Sequence, residues 1–116
     1  MKSLATITDK DIETIQMALN DAISDINMEL KKDLSSKKNA EMMDYKTKYA
    51  RVFEKLKQNR SIYALATHEL DLVAGALNDA IELLEESLAD DLDDHEKADI
   101  LAYEEECQRL IDILAG

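Results

Sequence analysis

The sequence predicts an all-α fold, a tandem-duplicated helical hairpin forming an antiparallel four-helix bundle with pseudo-twofold symmetry. The chain has no proline and only two glycines, so residues that break helices are scarce. The stretch ALNDAI occurs at 18–23 and again at 76–81, an offset of half the 116 residues. Apolar residues recur at helical steps of three and four. We therefore predict one domain, 1–116, built from two hairpin repeats, 1–58 and 59–116.

The similarity between the two halves extends well beyond this hexamer. With an offset of 58, the halves align without a gap, and apolar positions fall on apolar positions throughout. A period that preserves the apolar register over its whole length indicates a duplicated supersecondary unit. The matched pairs include Leu4/Ile62, Ile15/Val73, Leu19/Leu77, Ile26/Leu84, Tyr45/Tyr103, Arg51/Arg109 and Leu56/Leu114.

Each half is predicted to form two helices. In the first half, Thr8 is the expected N-cap and Asp11 completes a capping box. The segment SSKKN (35–39) is predicted to separate the first helix from the second. The apolar stripes that define these helices are Ile12, Ile15, Leu19, Ala22, Ile23, Ile26 and Leu30, then Met42, Tyr45, Tyr49, Val52, Phe53 and Leu56.

The second half repeats this pattern. The third helix is predicted to start near Ser61 or Thr67, and DDLDD (90–94) forms the turn before the fourth. Two hairpins stacked end to end, or hairpins exchanged between chains, are the alternative arrangements. The stripes are Leu70, Val73, Leu77, Ala80, Ile81, Leu84 and Leu88, then Ile100, Tyr103, Cys107, Leu110, Ile111 and Leu114.

Three kinds of residue in these helices carry further expectations. Cys107 is expected to be a core residue rather than a nucleophile. Gly75, in the middle of the third helix, costs roughly 1 kcal/mol relative to alanine and is open to close helix approach or to a partner. Methionines more often fill gaps in a core than form a binding groove, and the expectation applies to Met17, Met28, Met42 and Met43.

Charge separates the halves. Residues 1–58 carry 11 Lys/Arg and 10 Asp/Glu, whereas residues 59–116 carry 3 and 16, which gives net charges of +1 and −13. Opposite charges let the halves prefer each other over self-pairing. That attraction does not account for the whole excess, because most acids of the second half have no cation there. The excess points to a basic partner.

The acids of the second half are predicted to form a binding surface. Carboxylates three or four residues apart on a helix have Cβ atoms about 5–6 Å apart, comparable to successive backbone phosphates. A rigid acidic helix pair can therefore imitate a nucleic-acid strand; the alternative is a solvated face that only keeps the protein soluble. We name as the predicted acidic surface Glu82, Glu85, Glu86, Asp90, Asp91, Asp93, Asp94, Glu96, Asp99, Glu104 and Glu105.

These features predict a non-enzymatic protein that acts by protein–protein contact. The expected partner is a basic host protein that binds nucleic acid. Direct binding of nucleic acid is disfavoured because phosphates would be repelled, and no catalytic residue, cofactor or metal site is predicted. A homodimer is also possible. The basic residues of the second helix form only a local patch, Lys46, Lys48, Arg51, Lys55 and Lys57.

A chain with ITDKDIETIQMALNDAI near its start and EEECQRLIDIL near its end resembles the small acidic all-helical proteins of bacteriophages. Several phage inhibitors of host defence, including nucleic-acid mimics and anti-CRISPR proteins, are similar in size and charge. The resemblance implies an inhibitor that works in the host cytosol. It covers the chain as a type and assigns no role to any single residue.

Two other functions compete with this hypothesis. ELLEE (82–86) and EKAD (96–99) are similar to the E-x-x-E-E…E-x-x-D magnesium motif of all-helical nucleotide pyrophosphatases of the MazG kind. A structural or assembly protein that self-associates through its helix faces is the second alternative. A lone cysteine, no apolar run near 20 residues and a start without a signal-peptide core favour the cytoplasm in every case.

Overall fold

The computed structural model describes residues 4–88 and 91–115, and in these residues it contains helices and no strand. The four helices are α1 (Asp9–Leu30), α2 (Ser36–Gln58), α3 (Thr67–Leu88) and α4 (Asp94–Ala115). Short 3-10 turns at Leu4–Thr6 and Ile62–Ala64 precede α1 and α3. The all-α prediction is confirmed.

The boundaries of the elements follow the sequence repeat. Each element of the second half begins 58 residues after its counterpart, at positions 4 and 62, 9 and 67, and 36 and 94. The local sequence of each half therefore specifies the same set of elements, as a duplication requires. The pseudo-twofold relation between the hairpins stays a prediction.

The break between α1 and α2 differs from the prediction. It covers 31–35 rather than 35–39, because Ser35 caps α2 and SKKN forms its first turn. The Ser35 side chain accepts a hydrogen bond from the Lys38 backbone N–H at 3.2 Å, which satisfies one of the free amides at the helix start. Of the two predicted starts for α3, Thr67 is correct, and Ser61 instead caps the 3-10 turn.

The start of α1 is fixed by the predicted capping box. The Thr8 backbone N–H donates to Asp11 Oδ2 at 3.0 Å, and the Asp11 N–H donates to Thr8 Oγ1 at 3.2 Å. These reciprocal bonds satisfy amides that have no partner within the helix. At the start of α3, Ala66 stands where α1 has Thr8, so half of the motif remains: the Ala66 N–H donates to Glu69 Oε1 at 2.9 Å.

Packing makes α1 and α3 the central pair of the bundle. α1 packs along α2, α3 packs along α4, and α1 packs against α3, whereas the α2–α3 and α1–α4 contacts are narrow. The extended α1–α3 contact places the hairpins side by side rather than end to end. The central pair buries Ile12, Ile15, Ala18, Leu19, Ala22 and Ile26 of α1 and Val73, Ala76, Leu77, Ala80 and Ile81 of α3.

Two buried carboxylates join the hairpins. Asp11 and Glu69 occupy equivalent positions in α1 and α3, and both are at least nine-tenths buried. Asp11 bonds Arg109 of α4, and Glu69 Oε1 accepts a hydrogen bond from Lys55 Nζ of α2 at 2.7 Å. Each acid therefore holds the start of a central helix and a flanking helix of the other hairpin.

The pKa values of both carboxyls lie below their ordinary range. Burial raises the pKa of Asp11, but the Thr8 N–H bond and the Arg109 guanidinium outweigh burial and lower it. The Ala66 N–H, followed by the Lys55 ammonium, lowers the pKa of Glu69. Both groups are therefore held in the charged form by the folded state.

Cys107 is a core residue, as predicted. It has no exposed surface, and burial is the main reason that its pKa rises to about 12. The thiol is therefore protonated at neutral pH, and the thiolate needed for nucleophilic chemistry is not formed.

The expectation for the methionines was wrong at three positions. Met17, Met28 and Met43 are between 46% and 65% exposed, so they do not fill gaps in the core. They lie beside the apolar stripes, and the helices that would have to cover them pack elsewhere.

In the described segments, no helix has both the length and the apolar content of a membrane span.

Replacing Asp11 or Glu69 by alanine is expected to lower the free energy of unfolding by about 2 kcal/mol at neutral pH, because each change removes a capping acceptor and strands a cation. Because the folded pKa of each carboxyl is depressed, this stabilisation is present above the ordinary pKa values of 3.8 and 4.5 and is lost as the pH falls through the folded values.

Urea unfolding of wild type and variants between about pH 6 and pH 2 measures this difference. The difference should shrink towards the acid end. A difference that stays constant with pH would contradict the ion-pair account, and Asp33→Ala, an exposed loop acid, is the control expected to change little.

Gly75→Ala is expected to raise the free energy of unfolding by about 0.5–1 kcal/mol. A Cβ at this position would meet only the Tyr49 hydroxyl, at an ordinary contact distance of 3.9 Å. Thermal or urea unfolding provides the measurement, with Ala50→Gly on the exposed side of α2 as the reverse control. A loss of stability would mean that α3 requires the absence of a side chain at Gly75.

Candidate interaction surface

The structure exposes the predicted acidic surface along α3, the turn and α4. Asp90 lies outside the described residues, and Glu104 is half-buried. The exposed members are Glu82, Glu85, Glu86, Asp91, Asp93, Asp94, Glu96, Asp99 and Glu105. The acids thus occupy one hairpin, although their use in binding stays a prediction.

Several of these acids also have a local structural role. Asp93 caps α4, because its Oδ1 accepts a hydrogen bond from the Glu96 N–H at 2.7 Å. Asp94 and Glu96 lie in the first turn of α4, where the helix dipole favours negative charge. The Asp99 Oδ2 atom lies 3.6 Å from His95 Nε2, one turn away on the same helix. The turn end of the surface is therefore explained in part by helix formation.

The remaining described acids of the predicted surface are not neutralised by ion pairs within the described chain. Within the described ranges, no ion pair involves Glu82, Glu85, Glu86, Asp91, Glu104 or Glu105. The two arginines of the second half serve other acids, since Arg60 pairs with Glu13 and Arg109 pairs with Asp11 and Glu106. Attraction between the halves is real, but it uses carboxylates outside the predicted surface.

A groove between α3 and α4 brings part of this surface together. Its volume is about 350 Å³, and Leu101, 49% exposed, contributes an apolar wall. Partial burial, followed by a hydrogen bond to Glu85 and its charge, raises the pKa of Glu104, so these two carboxyls are close neighbours across the helices. The residues that line it are Ile81, Glu85, Leu101, Glu104, Glu105 and Gln108.

The basic patch on α2 lies apart from this groove. α2 carries seven Lys/Arg and three Asp/Glu, and it makes no substantial contact with α4 in the described parts of the chain. Lys55 of the patch is bonded to Glu69, and Lys48 pairs with Asp44 at 2.9 Å. The fold therefore keeps the basic helix and the acidic groove on separate faces.

The described acids, including those of the pyrophosphatase-like motif, are not arranged as a metal site. Among residues 4–88 and 91–115, no three His, Cys, Asp or Glu side chains are placed to hold a metal ion together. The acids of ELLEE (82–86) are exposed, with no enclosed cavity around them. The similarity to the magnesium motif of pyrophosphatases thus gains no geometric support.

Sequence periodicity missed the exposed apolar residues near the acids and on α2. Leu101 lies beside the α4 stripe, and Tyr45, placed in the α2 stripe, is 49% exposed. Periodicity identifies the face of a helix but not the width of the neighbour that covers it. In the sequence, the only sign that these side chains would stay exposed is the low apolar content of α2 and α4 between their stripe positions.

Comparison of the chain with protein-family models, with curated proteins and with solved structures finds no match. The fold and the surface charge define the class of the chain as a four-helix protein with one acidic hairpin.

Glu104→Gln is expected to raise the free energy of unfolding at pH 7 by roughly 0.2–0.5 kcal/mol, because it removes repulsion from Glu85 at a partly exposed site. The folded pKa of Glu104 is raised, so the penalty exists above that pKa and disappears as the pH falls and wild-type Glu104 becomes protonated. Urea unfolding at about pH 7 and pH 4 tests this. An equal gain from Glu41→Gln, an exposed acid on α2, would show a general charge effect instead.

Proposed function

We propose that this chain is a non-enzymatic inhibitor whose acidic hairpin, α3–α4, occupies a basic nucleic-acid-binding surface of a host protein. The observation that supports the proposal is the row of exposed carboxylates, most of which form no ion pair among the described residues. Its class is that of the nucleic-acid mimics and anti-CRISPR proteins that bacteriophages encode.

The physical basis is a charge pattern fixed on rigid elements. Helices hold carboxylates three and four residues apart at about 5–6 Å between Cβ atoms, close to the phosphate spacing of a nucleic-acid strand. Because the helices are already ordered, little conformational entropy is lost when a partner binds. The net charge of −12 would also speed encounters with a basic groove, and this effect weakens with salt.

Self-association is the second candidate function, and the exposed apolar side chains favour it. Met17 and Met28 of α1, Met43 and Tyr45 of α2, and Leu101 of α4 are all about half exposed or more. An assembly formed through such faces would be held by apolar burial, which salt does not weaken. Ionic strength therefore separates the two functions.

The test begins with capture of binding proteins from a nuclease-treated bacterial lysate and proceeds to competition with a labelled DNA or RNA duplex. We expect a captured protein to release its nucleic acid when this chain is added, with an affinity that falls steeply between low and high salt. A complex in which the nucleic acid stays bound, or whose affinity ignores salt, would overturn the proposal.

Charge-neutral variants locate the contact. The triple variant Glu86→Gln, Asp91→Asn and Glu105→Gln is expected to displace the nucleic acid at least about tenfold less effectively than wild type. These changes touch no residue of the core, so circular dichroism should be unchanged.

The matched control removes the same charge from the first half. Asp33→Asn, Glu41→Gln and Glu54→Gln alter exposed acids that take part in no ion pair of the described chain. This control should compete like wild type. An equal loss in both triple variants would mean that net charge alone, and not the α3–α4 hairpin, drives binding.

A further inference from the structure

A second concave site lies between α1, α2 and α3, away from the α3–α4 groove. It is a cleft of about 360 Å³ with α1 at its base and α2 and α3 at its sides. Its chemistry differs from that of the predicted acidic surface, because aromatic and acidic side chains meet in it. The residues that matter are Asp25, Met42, Tyr45, Tyr49, Gly75 and Asp79.

The cleft exists because α2 and α3 meet only narrowly. Gly75 adds to the opening, since it has no side chain at a position where a Cβ would find only the Tyr49 hydroxyl within 4 Å. A larger side chain at Gly75 would fill this space. Glycine in the middle of a helix is otherwise unfavourable, and here it leaves a binding volume open.

Tyr49 carries an unused hydrogen-bonding group in this cleft. Its side chain is 6% exposed, and its ring stacks on Tyr45 with centroids 6.1 Å apart. No described residue hydrogen-bonds to its hydroxyl, which borders the cleft and is therefore free to bond a ligand there. Burial and the charge of Asp79 raise the Tyr49 pKa, so the hydroxyl stays neutral.

Two carboxylates at the cleft have no cation of their own. Neither Asp25 nor Asp79 takes part in an ion pair among the described residues. Partial burial, followed by the charges of Glu82 and Asp25, raises the Asp79 pKa. Glu29 and, to a smaller extent, Asp25 raise the pKa of Lys32. The Lys32 Nζ atom bonds Glu29 Oε1 at 2.8 Å rather than Asp25. The cleft thus holds two carboxylates that form no ion pair with any described residue.

We propose that this cleft binds an alkylammonium group, either of a free polyamine or of a lysine side chain. The ammonium lies between Asp25 and Asp79 and donates to the Tyr49 hydroxyl, and the methylene stem packs on Met42 and the Tyr45 ring.

The walls of the cleft favour such a ligand over a metal ion or an apolar one. No group of three metal-ligating side chains occurs in the described chain, and two exposed carboxylates without further protein ligands hold a divalent cation only weakly. An apolar ligand would leave two carboxylates desolvated without a partner. The Lys48 ammonium lies 5.7 Å from the Tyr45 ring centroid, which shows that this aromatic pair accepts a cation on one side.

The test is an NMR titration of the full chain with two separate probes, spermidine and the amide of Nα-acetyl-lysine. Saturable shifts confined to the amides of the cleft, including Gly75, support the proposal. The tighter probe identifies the source as a free polyamine or a partner's lysine. No saturable shift with either probe, or shifts spread over all acidic helices, would overturn it.

Three variants make the test specific. Asp79→Asn should weaken binding about tenfold, and Gly75→Leu should abolish it by filling the cleft without changing charge. Tyr49→Phe, which removes only the hydroxyl, should weaken binding about threefold.

Asp21→Asn is the matched control, because Asp21 is the counterpart of Asp79 in the other half and does not line this cleft. It should bind like wild type. If Asp21→Asn and Asp79→Asn weaken binding equally, the cations are diffuse counterions and the proposal fails. The outcome can be distinguished from that of the proposed function, since none of these variants alters a residue of the predicted acidic surface.

Discussion

The packing of α1 against α3 is the contact on which the rest of this protein depends. α2 and α4 each reach the core mainly through their own hairpin partner, so the central pair alone joins the two halves over an extended area. Four buried alanines, Ala18, Ala22, Ala76 and Ala80, allow the two helix backbones to approach closely. ALNDAI supplies three buried residues of this contact to α1 and four to α3, which explains why the two halves of the sequence are most similar there.

The same arrangement explains how the surfaces diverged while the core did not. Asp11–Arg109 and Glu69–Lys55 hold the hairpins in register with partly buried pairs at equivalent ends of the central helices. Because register is set there, most of the outer faces are not constrained by packing. The second half could therefore carry carboxylates that repel one another, and binding of the proposed basic partner would offset this cost.

Divergence also changed the space beside the central pair. Tyr49 of α2 corresponds to Cys107 of α4, and the exposed Tyr45 corresponds to the half-buried Tyr103. Larger, more exposed rings on α2 line a cleft that ends in carboxylates of α1 and α3. The molecule thus presents two acidic concavities of different chemistry, one rimmed by carboxylates around a leucine and one walled by tyrosines, and α3 contributes to both.

The amino-acid sequence by itself determined the helices, the Thr8–Asp11 capping box, the repeat and most of the core. These features follow from contacts within a few residues and from the helical period, which a local pattern records. Only the tertiary structure decided that Asp11 meets Arg109, 98 residues away, that Glu85 and Glu104 approach each other, and that Leu101 and Tyr45 remain exposed. The reason is physical: a stripe fixes which face turns inward, while the neighbour that covers it, and the clefts left where helices part, depend on how all four helices pack together.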